Sequence, residues 1–255
     1  MLRINLFKIP LLFPSIIVLS LGIALFFAVS SDLYSQMPPD SEIIKALRKI
    51  VQCERIEIKT KAGGNKGEKL KSMVIKFESV SKNFLPADYI TMQYTNPTID
   101  LKAIRNSNTF KIASYSDFKI GVLVSDQTLK NEFDKTAKRL NIQFNKFLIK
   151  FSPPYIELEF DIPANGISPK DRKIVEKFVK NKKFEGYAAL RLEVHDNKIF
   201  VSPTKVILNH FLLPMTVTDE IKRRINPLYQ IPRIPTFNYS LEKVGIQKKY
   251  LFFSN

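Results

Sequence analysis

The chain has 255 residues, with 40 Lys and Arg against 24 Asp and Glu, a net charge of +16 and no tryptophan. Its single cysteine, Cys53, excludes an intramolecular disulfide and any cysteine-based metal site of ordinary ligand count. The hydrophobic fraction of 45% is ordinary for a globular protein, whereas 20 Phe, 9 Tyr and only 8 Gly favour strands around an apolar interior.

Residues 1–31 read as an export signal or an N-terminal membrane anchor. Arg3 and Lys8 precede an uncharged run from Ile9 to Ser31, and Ala28-Val29-Ser30 offers small residues at a cleavage-like position. The run over residues 9–31 is also long enough to span a bilayer. Either reading places the body outside the cytoplasm, in a periplasm or on the extracytoplasmic face of a membrane. Without Arg3 and Lys8 the rest of the chain keeps +14, an excess that favours an anionic partner such as a membrane surface. Residues 32–40 form a spacer, and 41–255 a single domain.

The first predicted helix runs from Ser41 to Gln52, with Ile43, Ile44, Leu47, Ile50 and Val51 on one face. From Arg55 the period changes to two. Strands are expected at Ile56–Ile58, at Met73–Val80 after a turn at residues 63–67, and at Ile99–Ile104. Phe118, Ile120 and Val122 lead into a second helix within the stretch Val122–Asn141. There Leu129, Phe133, Ala137 and Leu140 make one apolar stripe, and Ser125 or Asp126 can cap the first turn.

Beyond that helix, Phe147–Phe151 and Tyr155–Ile162 read as strands. In the second, Ile156, Leu158, Phe160 and Ile162 alternate with Glu157, Glu159 and Asp161. A short helix is expected after Pro169. Gly186–Val194 alternates again, with Ala188, Leu190, Leu192 and Val194 on one side, and Asp196-Asn197 signals a hairpin to Lys198–Ser202. Lys205–Asn209 reads as a further strand and Thr218–Ile225 as a helix stopped by Asn226-Pro227. Tyr239–Val244 and Ile246–Phe253 read as a closing hairpin around Gly245. The fold class is α+β, with a large, curved, mostly antiparallel sheet wrapped around amphipathic helices.

The pattern carries no catalytic signature. His195 and His210 lack a second ligand at metal spacing, so no metal and no cofactor are expected. Glu157, Glu159 and Asp161 share one strand face, which the alternation explains as the solvated side of Ile156, Leu158 and Phe160. Export argues against nucleic acid as the anionic partner, and the aromatic residues lie on apolar strand faces suited to packing. No enzymatic activity is expected.

Several stretches together resemble the LmeA-like family of bacterial envelope proteins. They are Lys183-Phe184-Glu185-Gly186-Tyr187 with its strand to Val194, the Asp196-Asn197 turn, and Ile199-Phe200-Val201-Ser202-Pro203. Val206–Leu213 with Pro214, Ile225-Asn226-Pro227-Leu228, Ile231-Pro232-Arg233-Ile234-Pro235, the hairpin Leu241–Phe253 and Val124–Leu129 complete the set. The resemblance implies an exported, membrane-associated protein that binds phospholipid or a similar amphiphile in a fold similar to tubular lipid-binding domains. In that case acyl chains would lie against Leu129, Phe133, Leu140, Ile156, Leu158, Phe160, Leu190, Leu192 and Val194, and Lys182, Lys183, Lys222, Arg223 and Arg224 would meet headgroups or the anionic membrane surface. The alternative is an envelope scaffold or assembly protein with a filled core and a basic surface for membrane or a partner.

Overall fold

The computed structural model describes residues 40–63, 69–139, 142–163, 183–234 and 236–255. The expected signal or anchor, the helix after Pro169, Leu140 and Lys182 lie outside these residues. Four helices and fourteen strands are described, and the strand pairs are antiparallel throughout.

Helix α1 (Asp40–Arg48) leads into β1 (Arg55–Ala62), β2 (Leu70–Val80) and β3 (Ala87–Thr95). β4 (Thr98–Ile99) and β5 (Ile112–Ser114) form a two-stranded ladder around α2 (Leu101–Ser107). β6 (Asp117–Ser125) precedes α3 (Asp126–Arg139). The chain then builds β7 (Lys146–Ser152), β8 (Tyr155–Pro163), β9 (Lys183–His195), β10 (Lys198–Leu208) and β11 (Phe211–Leu212). Helix α4 (Met215–Ile225), β12 (Tyr229–Gln230), β13 (Lys243–Ile246) and β14 (Tyr250–Ser254) complete it.

The class is α+β and mostly antiparallel, as expected, but the strands make two main sheets rather than one. The first has the order β1-β2-β3-β6-β14-β13, and the second β11-β10-β9-β8-β7 with β12 on β10. Neither closes into a barrel among the described residues. The division follows from chain order: α3 interrupts strand addition after β6, and the chain starts a new sheet at β7. β13 and β14 then return to the first sheet, so the second is inserted between strands of the first.

Both sheets feed one continuous apolar core. Ile75, Phe77, Ile90, Ile120, Val122 and Phe253 reach it from the first, and Ile156, Leu158, Leu190, Ile199 and Val201 from the second. Between β12 and β13 the described residues form no regular strand. Of these, Ile231, Phe237, Tyr239 and Leu241 are nonetheless buried, with the Phe237 ring 6.3 Å from Phe77 and 6.0 Å from Phe110. Asn197 holds this connector. Its buried amide donates to Tyr239 O at 3.1 Å and accepts from Leu241 N at 2.8 Å, and its carbonyl accepts from Ile231 N at 2.8 Å.

Four local expectations are corrected. The strand expected at Ile99–Ile104 ends at Ile99 and becomes helix α2, because the Asp100 side chain accepts from Ala103 N at 3.0 Å and caps the first turn. Lys198–Ser202 and Lys205–Asn209 are one strand, β10, with an irregularity between Pro203 and Lys205. Pro203 brings no N–H to the ladder, and the Thr204 hydroxyl bonds Ala189 O at 3.0 Å beside it. The final hairpin turns over residues 247–249, not at Gly245. Gly245 lies within β13, where a Cβ would meet the Phe252 ring at 2.0 Å, so the glycine makes room for a cross-strand aromatic. Tyr239–Leu241 precedes β13 as part of the connector. β3 had no counterpart in the sequence reading. It is a central strand with Ile90, Thr91 and Met92 buried in succession, which blurs alternation.

Tyr94 is buried against Tyr115 and Phe118, and its hydroxyl finds no hydrogen-bond partner among the described residues. Tyr94→Phe is expected to raise stability by about 1 kcal/mol in urea denaturation. Burial, with a smaller contribution from Tyr115, also holds the Tyr94 phenol far above its ordinary range. A raised folded-state pKa contributes stability below the unfolded value and loses it above. Stability should therefore fall as pH rises past about 10, and less steeply in Tyr94→Phe. Asn197→Gly keeps the positive φ of the turn but leaves Tyr239 O and Leu241 N without their partner. A loss of about 3 kcal/mol is expected from the same measurement.

Candidate functional site

Helix α3 sits where the two sheets come together, against β6 of the first and β7 of the second. Its start is fixed by side chains. The Ser125 hydroxyl accepts from Thr128 N at 3.1 Å, and Asp88 on β3 accepts from Ser125 N at 2.5 Å and from Thr128 Oγ1 at 2.9 Å. Ser125 is thus the cap. The helix directs Leu129, Phe133 and Ala137 inward, and the Phe133 ring stacks on Phe147 at 3.5 Å with an interplanar angle of 6°.

The residues nominated to line an acyl groove share one packed interior. Leu129, Phe133, Ile156, Leu158, Phe160, Leu190, Leu192 and Val194 are each 5% exposed or less and belong to the same core. Leu140 lies outside the described residues. Phe160 crosses the strand pair to Gly186, where a Cβ would stand 2.0 Å from its ring.

The residues nominated for headgroups are less concentrated. Lys222, Arg223 and Arg224 are exposed on the last turn of α4. Arg223 and Arg224 both pair with Glu220, whose carboxyl is held below its usual range, chiefly by the hydrogen bond from Arg224. Of Lys183 only the backbone is described, paired with Pro163 at the end of the β8–β9 ladder; Lys182 lies outside the described residues. The end of α4 is locked to β10 by Asn226. Its side chain accepts from Val201 N at 2.6 Å and donates to Val201 O at 2.7 Å and Lys222 O at 2.9 Å.

The acidic face of β8 opens on a surface cleft of about 390 Å³, floored by Phe160, Gly186 and Ile207. At its rim Lys146 Nζ lies 2.6 Å from Glu159, and His210 Nε2 lies 3.4 Å from Glu185. Tyr187 stands among them, its phenol pushed up by burial and then by the charges of Glu157 and Glu159. These carboxylates face solvent with cationic neighbours, the arrangement expected of the polar side of a sheet. No group of three or more metal-ligating side chains occurs among the described residues.

One feature escaped the sequence reading. Phe211, Leu212 and Met215 are 73%, 65% and 79% exposed, by far the most exposed large apolar side chains described. They follow the turn Asn209-His210 and lead into α4. The available signal was the unbroken run Phe211-Leu212-Leu213 after a strand, since three successive apolar residues cannot all face inward. Half-buried Leu213 is the one that does, its N–H bonding Val206 O at 2.9 Å.

No family model, no curated protein and no solved structure matches the chain. No described helix is long and apolar enough to cross a membrane.

Because Phe133 is a packing residue at the junction of the sheets, Phe133→Ala should lower stability by about 3–5 kcal/mol in urea denaturation.

Proposed function

We propose that this protein is a non-enzymatic envelope protein that binds the surface of an anionic phospholipid membrane. The observation that carries the reading is the exposed cationic end of α4 in a chain of net charge +16, whose first 31 residues read as an export signal or anchor. Lys222 and Arg223 point outward and α4 is fixed to β10, so their charge is presented from a rigid surface. The packing of Leu129, Phe133, Ile156, Leu158 and Phe160 against neighbouring side chains favours lipid contact at the outside of the body. This is the scaffold alternative of the sequence reading, with the membrane as its partner.

The second reading is uptake or transfer of phospholipid, with acyl chains under a bent sheet as in tubular lipid-binding domains. It is supported by the resemblance of Lys183–Val194 and the stretches after it to the LmeA-like family. It requires the two inner sheet faces to part, since an acyl chain would displace side chains now in contact. Burial of about 0.8 kcal/mol per CH₂ is the available driving force. Native mass spectrometry after purification from cells separates the readings: retained phospholipid favours uptake, and lipid-free protein favours surface binding.

The form lacking residues 1–31 should sediment with phosphatidylglycerol vesicles and not with phosphatidylcholine vesicles. Binding should weaken as the Debye length shortens from about 10 Å at 0.1 M salt to about 3 Å at 1 M. At about 1 kcal/mol per basic residue near an anionic surface, Lys222→Glu/Arg223→Glu should weaken it about tenfold or more. Equal binding to both vesicle types would overturn the electrostatic reading.

A further inference from the structure

We propose that the Phe211–Met215 tip enters the interfacial layer of an anionic bilayer leaflet, with the exposed face of α4 against the headgroups. The inference rests on the membrane-binding reading above and adds which residues pass the headgroup layer.

The tip is built to stay out. Asn209 and His210 both have positive φ, 46° and 68°, and make a two-residue turn of the kind that holds strands in a tight hairpin. Leu208 pairs with Phe211, and Ile207 with Leu212. The turn is fastened to the neighbouring strand, with Asn209 N donating to Glu185 O at 2.8 Å and Glu185 N donating to Asn209 Oδ1 at 2.9 Å. Phe211 and Leu212 are therefore held in place before any partner arrives, and little backbone ordering is left to oppose binding. The other exposed large apolar side chains, Tyr89, Tyr115, Leu148, Tyr155 and Tyr250, are 36–47% exposed and dispersed in sequence. Among the described residues, only here do three such residues, each more than 60% exposed, fall within five positions.

Charge selects the occupant. Lys222 follows Met215 by seven residues, so it lies on the same face of α4, about 10 Å further along the axis. Exposed Arg223 stands beside it. Asp219 is exposed between them, and Glu220 pairs with Arg223 and Arg224. Lys222 is the cation on this face that no described carboxylate partners, and the net positive charge of the chain adds to it. Apolar side chains at the leading end and a cation behind them match the depth profile of an anionic leaflet, acyl boundary first and phosphate above it.

The absence of tryptophan from the chain makes the test direct. Phe211→Trp and, as a control on the first sheet, Tyr250→Trp are prepared in the full chain and reconstituted into phosphatidylglycerol–phosphatidylethanolamine vesicles with brominated acyl chains. Trp at 211 should be blue-shifted and strongly quenched, and Trp at 250 should not. Adding Leu212→Asp to Phe211→Trp should reduce the inserted fraction about tenfold or more, with the thermal midpoint unchanged because the side chain is exposed. Equal quenching at both positions, no quenching at 211, or a blue shift at 211 that depends on protein concentration without lipid would each overturn insertion; the last would assign the tip to a second copy of the chain. Sedimentation of the form lacking residues 1–31 tests the underlying reading separately: binding there without quenching at 211 sinks only the insertion.

Discussion

Apolar contact is non-directional, so two sheets sharing one core need something else to fix how they meet. Asn197 supplies it. The residue belongs to the β9–β10 turn of the second sheet, yet its amide bonds Tyr239 and Leu241 and its carbonyl bonds Ile231. Those bonds hold the connector that carries Phe237 to Phe77 and Phe110. A buried amide in an apolar surround has no water to fall back on, so each of these bonds is costly to lose. The connector is thus located by polar groups and buried by apolar ones, and β13 is delivered to the edge of the first sheet.

The helices are placed by the same division of labour. Asp88 reaches from β3 to both Ser125 and Thr128, which sets where β6 ends and α3 begins. The side chains of α3 then fill the junction of the sheets, with Phe133 flat on Phe147. Asn226 does for the end of α4 what Asp88 does for the start of α3, completing hydrogen bonds to Val201 that a neighbouring strand would otherwise make. A helix fixed in this way at its C-terminal end leaves its N-terminal end and the preceding tip projecting.

Local patterns were readable wherever a segment has one wet face and one dry face. The stripe Leu129, Phe133, Ala137 and the alternation of Ile156, Leu158 and Phe160 with acidic residues both identified their elements. β3 was not readable, because Ile90, Thr91 and Met92 are buried in succession, which blurs the alternation that marks a strand. Helix α2 was misread because Ile99, Leu101 and Ala103 imitate a strand, although Asp100 carried the cap that decides the matter. The number of sheets was not readable at all. It depends on which strand pairs with β6 after α3 intervenes, and the answer, β14, lies more than a hundred residues away. The apolar tip was visible as composition but not as exposure, since a run of apolar residues reads as core until the structure shows nothing packed over it.

That last distinction changes where lipid is sought. Alternating strands prompt the idea of an internal acyl site, because periodicity identifies an apolar face without saying what fills it. In this fold the inward side chains of β8 and β9 belong to one continuous buried core, and Gly186 is needed just to admit the Phe160 ring. An acyl chain entering there would have to replace contacts already made, whereas one meeting Phe211, Leu212 and Met215 displaces only water. The free-energy gain per buried apolar area is similar in the two places, but the cost of opening applies to the interior alone. Under the proposed membrane binding, contact at the hairpin tip therefore costs less than contact in the core.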